Sequence, residues 1–194
     1  SNSEFVGQVI QKYFGSSIHF INDKIDQGKI IKTKKFKILK NDTGLSMYLK
    51  CLKVGFLSFK LVLNNIIKNK KLSVKKQNLK NRNVFYIKDL PNSLIDLKKR
   101  GDYIIDFVRS GNFLPLKSPS FQPQIIKNIY IYKVKLLKKV NFRNSNLYFE
   151  NFKPIVRTGD DYGIKIILAK YKSGKELEYN DWKKLSKKIN NLYE

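Results

Sequence analysis

Apolar side chains recur at helical spacing from Leu45 to Ile67, with a single glycine, Gly55, between two runs. Leu45, Met47 or Tyr48, Leu49 and Leu52 lie three or four apart and share one face of a short helix. A glycine just past the last periodic residue can adopt the left-handed conformation in which many helices end, so Gly55 stops the first run. Ser58 is then placed to cap a second helix. Its apolar face is Leu61, Val62, Ile66 and Ile67, with Lys60, Asn64, Lys68 and Lys70 largely off that face. The spacing therefore predicts a helix-turn-helix with Phe56 packed between its helices. Lys71 to Val74, Val84 to Ile87 and Tyr103 to Val108 are expected as short strands, the last entered through a Gly101-Asp102 turn.

Charge narrows the function classes. The chain of 194 residues carries 40 Lys and Arg against 15 Asp and Glu, a net charge of +25. Self-repulsion of that size calls for a polyanionic partner, and nucleic acid fits it better than a membrane surface, because the lysines are spread through the sequence rather than gathered on one amphipathic helix. A hydrophobic content of 42% is enough for a real core. Residue usage favours A+T-rich codons: Lys, Asn, Ile, Phe and Tyr abound, and Ala169 is the only alanine.

With these residues in view, the stretch resembles the RNA-binding module of the ribosomal protein S4 family. The resemblance runs through Gly55-Phe56 and Ser58, Ile66-Ile67, Leu72-x-Val74, Leu90-Pro91-Asn92-Ser93 and Arg100-Gly101-Asp102-Tyr103-Ile104. It departs from the family at Thr43-Gly44-Leu45, where Arg-Leu-Asp is usual, at Asn64 in place of a basic residue, and at Lys75-Lys76 in place of Asn-Gly. The resemblance implies an α+β fold: an S4-like helix-turn-helix plus small β-sheet, with N-terminal helical and C-terminal α/β extensions. It implies a structural rRNA-binding protein of the mitochondrial small ribosomal subunit, with subunit assembly and translation as its role. An accessory RNA-binding factor with the same module is the alternative. Expected RNA contacts are Lys50, Lys53, Ser58, Lys60, Asn64, Lys68, Lys70, Lys71, Lys75, Lys76, Lys98, Lys99 and Arg100, acting by phosphate neutralisation and shape recognition. Expected partners are small-subunit rRNA, neighbouring small-subunit ribosomal proteins and mRNA near the entry path, with no membrane.

Three regions follow: 1–42, a short helical region with a basic connector; 43–110, the module; and 111–194, a linker and C-terminal extension. In the first, Val6, Val9, Ile10, Tyr13 and Phe14 are spaced as a helix ending at Gly15, and Lys29 to Lys40 is a basic connector expected to order on RNA. In the third, Gly111 to Pro123 is a proline-rich linker, and Ile125 to Val140 suits either a strand or a helix. Phe152 to Val156 and Ile164 to Lys170 form a hairpin around Thr158-Gly159-Asp160-Asp161. Asn180 or Asp181 caps a final helix carrying Trp182, Leu185, Ile189 and Leu192.

No catalytic constellation is expected. His19, the only histidine, has no Ser or Cys partner in a recognisable motif and takes a structural role. Asp160-Asp161 is expected in a turn. Cys51 is a lone thiol, which excludes an internal disulfide and a zinc cluster. No phosphate-binding glycine loop is present, and neither are the motifs of pseudouridine synthases or tyrosyl-tRNA synthetases, whose S4-like modules accompany a catalytic domain. The expectation is a non-enzyme with no cofactor and no metal. The first residues show no targeting segment, so the mitochondrial placement rests on residue usage and resemblance.

Overall fold

The computed structural model describes residues 12–81, 86–139 and 146–193. They form two compact units, one within residues 11–86 and one within 87–194.

The first unit begins with a hairpin of β1 (Tyr13–His19) and β2 (Ile30–Lys37), antiparallel, with Phe14 opposite Phe36 and Ser17 opposite Thr33. The phenyl rings meet edge to face at 6.0 Å and the two hydroxyls share a hydrogen bond of 2.9 Å, so cross-strand pairs on both positions fix the register. β2 lies inside the expected basic connector: Ile30, Ile31, Thr33 and Phe36 have the β-branched and aromatic character of a strand, and its lysines are tolerated on an exposed face. Tyr13 and Phe14, expected on an N-terminal helix, are strand residues; Val6, Val9 and Ile10 lie outside the described residues.

The hairpin carries α1 (Gly44–Ile67), a continuous helix of 24 residues. Thr43 caps it: its hydroxyl accepts the Ser46 N–H at 3.2 Å while the Ser46 hydroxyl accepts the Thr43 N–H at 2.9 Å. This corrects the helix-turn-helix. Gly55 is a helical residue, and its cost of about 1 kcal/mol relative to alanine is spread over a long apolar periodicity that continues on both sides. Glycine is there for closeness: a Cβ at position 55 would stand 3.1 Å from the Ser16 hydroxyl oxygen of β1. Cys51 also faces the hairpin, its Sγ 3.9 Å from the Gly15 carbonyl oxygen. The helix ends at Lys68, followed by Asn69 with φ 49°. Beyond it, Lys71 to Val74 is not a strand; only Lys75 bridges to Ile30.

The second unit holds α2 (Gly101–Gly111), β3 (Gln124–Ile126), β4 (Ile129–Lys139), β5 (Leu147–Glu150), β6 (Lys153–Arg157), β7 (Tyr162–Tyr171) and α3 (Tyr179–Asn190). The sheet runs β3-β4-β7-β6-β5 with antiparallel neighbours, and a parallel bridge from Leu94 to Gln124 makes it mixed. The expected strand from Tyr103 to Val108 is helical. Ile104, Phe107, Val108 and Gly111 are buried at positions three, four and seven apart, the period of a helix packed on a sheet. Val84 and Phe85 lie outside the described residues, and 87–89 is a single 3-10 turn. The ambiguous stretch after Ile125 resolves into β4, whose Ile129 and Ile131 point into the core. The core joins Ile104, Phe107 and Val108 of α2 to Ile125, Ile131, Val156 and Ile164 of the sheet and to Trp182 and Ile189 of α3.

The architecture is therefore not the S4-like α+β module. The residues that carried that resemblance span a continuous helix and a second helix, with no strand between them among the described residues.

Candidate active site

A ten-position loop is closed at the end of the β1–β2 hairpin, where His19 is paired with Ile30. The Phe20 N–H donates to the Lys29 carbonyl at 3.0 Å. Gly28 lies against the Phe20 backbone so tightly that any Cβ there would overlap the Phe20 carbonyl oxygen. The Gln77 side-chain amide donates to the Asp26 carbonyl at 3.0 Å and to the Gly28 carbonyl at 2.6 Å, tying the loop to a segment 49 residues downstream. That segment is itself anchored, since Ile30 and Lys75 exchange both backbone hydrogen bonds at 2.8 Å.

Within this frame Asp26 has φ 54°, a left-handed conformation that Asp tolerates better than most residues. Its Oδ1 stands 3.6 Å from His19 Nε2, with the two side chains 75% and 28% exposed. His19 Nδ1 lies 2.9 Å from the Phe20 carbonyl oxygen. A carbonyl can only accept, so Nδ1 carries a proton, and in the neutral form of the ring Nε2 is the basic nitrogen. Nε2 can take up a proton from a substrate, and Asp26 is close enough to pair with the resulting imidazolium. Phe20, Ile21 and Ile25 expose apolar side chains from the same loop. An imidazole oriented by a backbone carbonyl, with a carboxylate beside its second nitrogen, suits acyl-group chemistry, in which a nucleophile sheds a proton as a new bond forms.

Asp42 accepts from Lys50 Nζ at 2.6 Å, the Leu39 N–H at 2.7 Å and the Ser46 hydroxyl at 2.9 Å. Burial works to raise its pKa, and these hydrogen bonds outweigh that, leaving it below the usual carboxylate range. In the second unit a cavity of about 320 Å³ is lined by Leu94, Ile95, Tyr103 and Phe107, with Asp96 and Lys99 as its charged groups. Among the described residues no group of three or more His, Cys, Asp or Glu side chains could hold a metal, and no helix is long and apolar enough to cross a membrane.

The residues expected to bind RNA are distributed as follows. Lys50, Lys53, Ser58, Lys60 and Asn64 all lie on α1. Ser58 is fully buried and its hydroxyl has no hydrogen-bond partner among the described residues, and Lys50 is tied to Asp42, whereas Lys53, Lys60 and Asn64 are exposed. Lys68, Lys70, Lys71, Lys75 and Lys76 follow the helix, exposed. Lys98, Lys99 and Arg100 belong to the other unit, where Arg100 is paired with Asp102 at 2.9 Å. Sequence reasoning gave His19 a structural role and passed over Asp26. The signal was a histidine before, and a carboxylate within, a loop that closes ahead of the Ile30-Ile31 strand start, and it acquires meaning only once the hairpin closes.

The fold is shared with formyltransferases. The N-formyltransferase from Helicobacter canadensis, in complex with folinic acid and dTDP-3-aminofucose, matches with a TM-score of 0.62 and 24% identity over 83% of this chain and 57% of its own. The sugar 3-N-formyltransferase WlaRD, solved with dTDP and 5-N-formyl-tetrahydrofolate, matches with a TM-score of 0.62 and 26% identity over 91% of this chain and 60% of its own. HypX from Aquifex aeolicus, in complex with tetrahydrofolic acid, matches with a TM-score of 0.59 and 10% identity over 96% of this chain and 32% of its own. This chain thus spans about 57–60% of the length of the first two. No protein-family model and no curated protein sequence matches it.

The fold overturns the S4 resemblance and with it the ribosomal reading: the small-subunit rRNA-binding protein, its role in translation and the accessory S4-type factor. The expectation of a non-enzyme is corrected as well, because the proteins that share this α/β fold include N-formyltransferases.

Proposed function

We propose that this chain is the proton-handling part of a formyltransferase-type enzyme that passes a formyl group to an amine. The observation that supports this most is the His19–Asp26 pair, held at 3.6 Å in a loop braced by Gln77 and Gly28, in a chain with a formyltransferase-like fold. A folate carrier fits the loop chemically. Phe20, Ile21 and Ile25 would give a flat ring an apolar face, and the Asp26 carboxylate would accept from its N–H groups. When bound, a formyl-folate supplies the one-carbon unit as an N-formyl group. The chain's own residues do the rest. An attacking amine must lose a proton to end as a formamide, and His19 Nε2 is the nitrogen available to accept it; the same proton would pass to the carrier nitrogen as its bond to the formyl carbon breaks, so the exchange balances. Asp26 pairs with the imidazolium, and the Phe20 carbonyl keeps the ring from rotating. A net charge of +25 suits an anionic acceptor, and the nucleotide-linked amino sugar of the Helicobacter canadensis enzyme is one.

The test is transfer from a formyl-tetrahydrofolate to a panel of nucleotide-linked amino sugars, using the full protein that contains this chain. His19→Asn and Asp26→Asn should each lower kcat by roughly 100-fold or more, with unchanged melting temperatures. Full activity in both variants, or no transfer to any amine by the wild-type protein, would overturn the proposal.

A further inference from the structure

The helix α1 presents two lengthwise seams, and among the described residues of its own unit only one of them is packed. Cys51 and Gly55 face the β1–β2 hairpin, and Ser58 and Val62, three to four positions further along the same side, are buried. The second seam is Leu49, Leu52, Phe56, Phe59, Leu63 and Ile66, alternating three and four residues apart along most of the helix. These six side chains are 41–67% exposed. Together they leave on the order of several hundred Å² of apolar surface open, at or above the largest patch of a typical soluble monomer.

A seam of this regularity is a packing surface. Tyr48 and Ile67, at its borders, are also more than half exposed. They widen the stripe to about 100°, the width of a helix face that meets a globular core rather than the narrow seam of a two-stranded coiled coil. No carboxylate lies on α1, and Lys53 and Lys60 are exposed beside the stripe. A second copy of this chain would bring another +25 of charge to the same contact, so self-association is disfavoured. The formyltransferases that share the fold contain about 40% of chain length beyond the part matched here.

We infer that the Leu49-to-Ile66 seam of α1 docks a polypeptide layer lying outside these 194 residues: the complementary part of the formyltransferase fold, apolar at its centre and acidic at its rim. The inference rests on the exposed seam and the fold likeness, not on the His19–Asp26 chemistry, so the two can fail separately.

Photo-cross-linking tests it, with p-benzoylphenylalanine replacing Phe56 in the protein expressed in its native cell and the cross-linked peptide sequenced. The expected product joins position 56 to a segment outside the 194 residues whose sequence supplies the missing share of the fold. Leu52→Asp should lower the yield by roughly tenfold or more, without changing the circular dichroism of the isolated chain, because Leu52 is exposed there. A cross-link to a second copy, to residues 87–194 or to lipid would overturn the inference, as would no peptide cross-link at all. Binding of the isolated chain to phosphatidylcholine–phosphatidylglycerol vesicles, lost in Leu52→Asp, would assign the seam to a membrane surface instead and overturn it too.

Discussion

The carboxylate of Asp160 accepts the backbone N–H of Gly101 at 3.0 Å, across 59 positions of sequence. It also accepts the Thr158 hydroxyl at 2.6 Å. Arg100, the residue before α2, offers no side-chain cap, so the helix receives its capping carboxylate from the β6–β7 turn. Asp160→Ala should cost about 1–2 kcal/mol, the scale of a lost N-cap, read as a lower urea midpoint. Burial acts to raise the Asp160 pKa, but the bonds from Thr158 and Gly101 prevail and hold it lowered. Its contribution is therefore complete above the unfolded value near pH 4 and fades as pH falls through the lower folded value. The Asp160→Ala variant should lose the corresponding part of the acid transition.

Asp42 and Lys50 should respond unequally. Asp42→Ala removes the acceptor for the Leu39 N–H, the Ser46 hydroxyl and Lys50 together, and about 2 kcal/mol of stability should go with it. Lys50→Met leaves the carboxylate two donors and should cost about half as much. The Asp42 pKa is also lowered, so the difference between wild type and Asp42→Ala should shrink as pH falls below the unfolded value of about 3.9. Thermal melts at pH 7 and pH 3 check both statements.

Gly28→Ala cannot be accommodated without moving the Phe20 carbonyl, which also holds His19 Nδ1. The expected outcome is a loosened loop: hydrogen exchange at the Phe20 amide should accelerate by roughly tenfold or more. The His19 ring resonances should shift while those of Trp182 stay in place.

Gly55→Ala carries the opposite sign from a turn glycine. In a continuous helix alanine gains up to about 1 kcal/mol over glycine, offset in part by the 3.1 Å approach to the Ser16 hydroxyl, which can rotate away. Stability should be unchanged or slightly higher in a urea titration. A loss of more than about 1 kcal/mol would mean that position 55 does not lie inside a helix.

Several elements were legible because a local rule and the tertiary environment agreed. Trp182, Leu185 and Ile189 have helical spacing and sit on α3, and the Thr158-to-Asp161 turn joins two β-branched runs that pair as β6 and β7. The final helix begins two or three residues earlier than its spacing suggests, capped at Glu178, with Asp181 reaching back at 3.0 Å to the Glu178 N–H. Gly55 and Gly101-Asp102 misled because glycine marks both a turn and a close approach, and only packing distinguishes them. At Gly101 an N–H bonded by a distant carboxylate made a helix start out of what locally resembles a strand entry. The His19–Asp26 site was hidden for a related reason: its brace, Gln77, is contributed by an irregular segment with no pattern to announce it.

A base and its carboxylate on opposite limbs of one short hairpin loop meet as soon as that loop closes. Closing a loop of this size costs little chain entropy and takes on the order of 10–100 ns. The His19–Asp26 pair is in that sense portable: a hairpin, a glycine contact and one bracing amide suffice to define it, whichever surface is later brought up to face it.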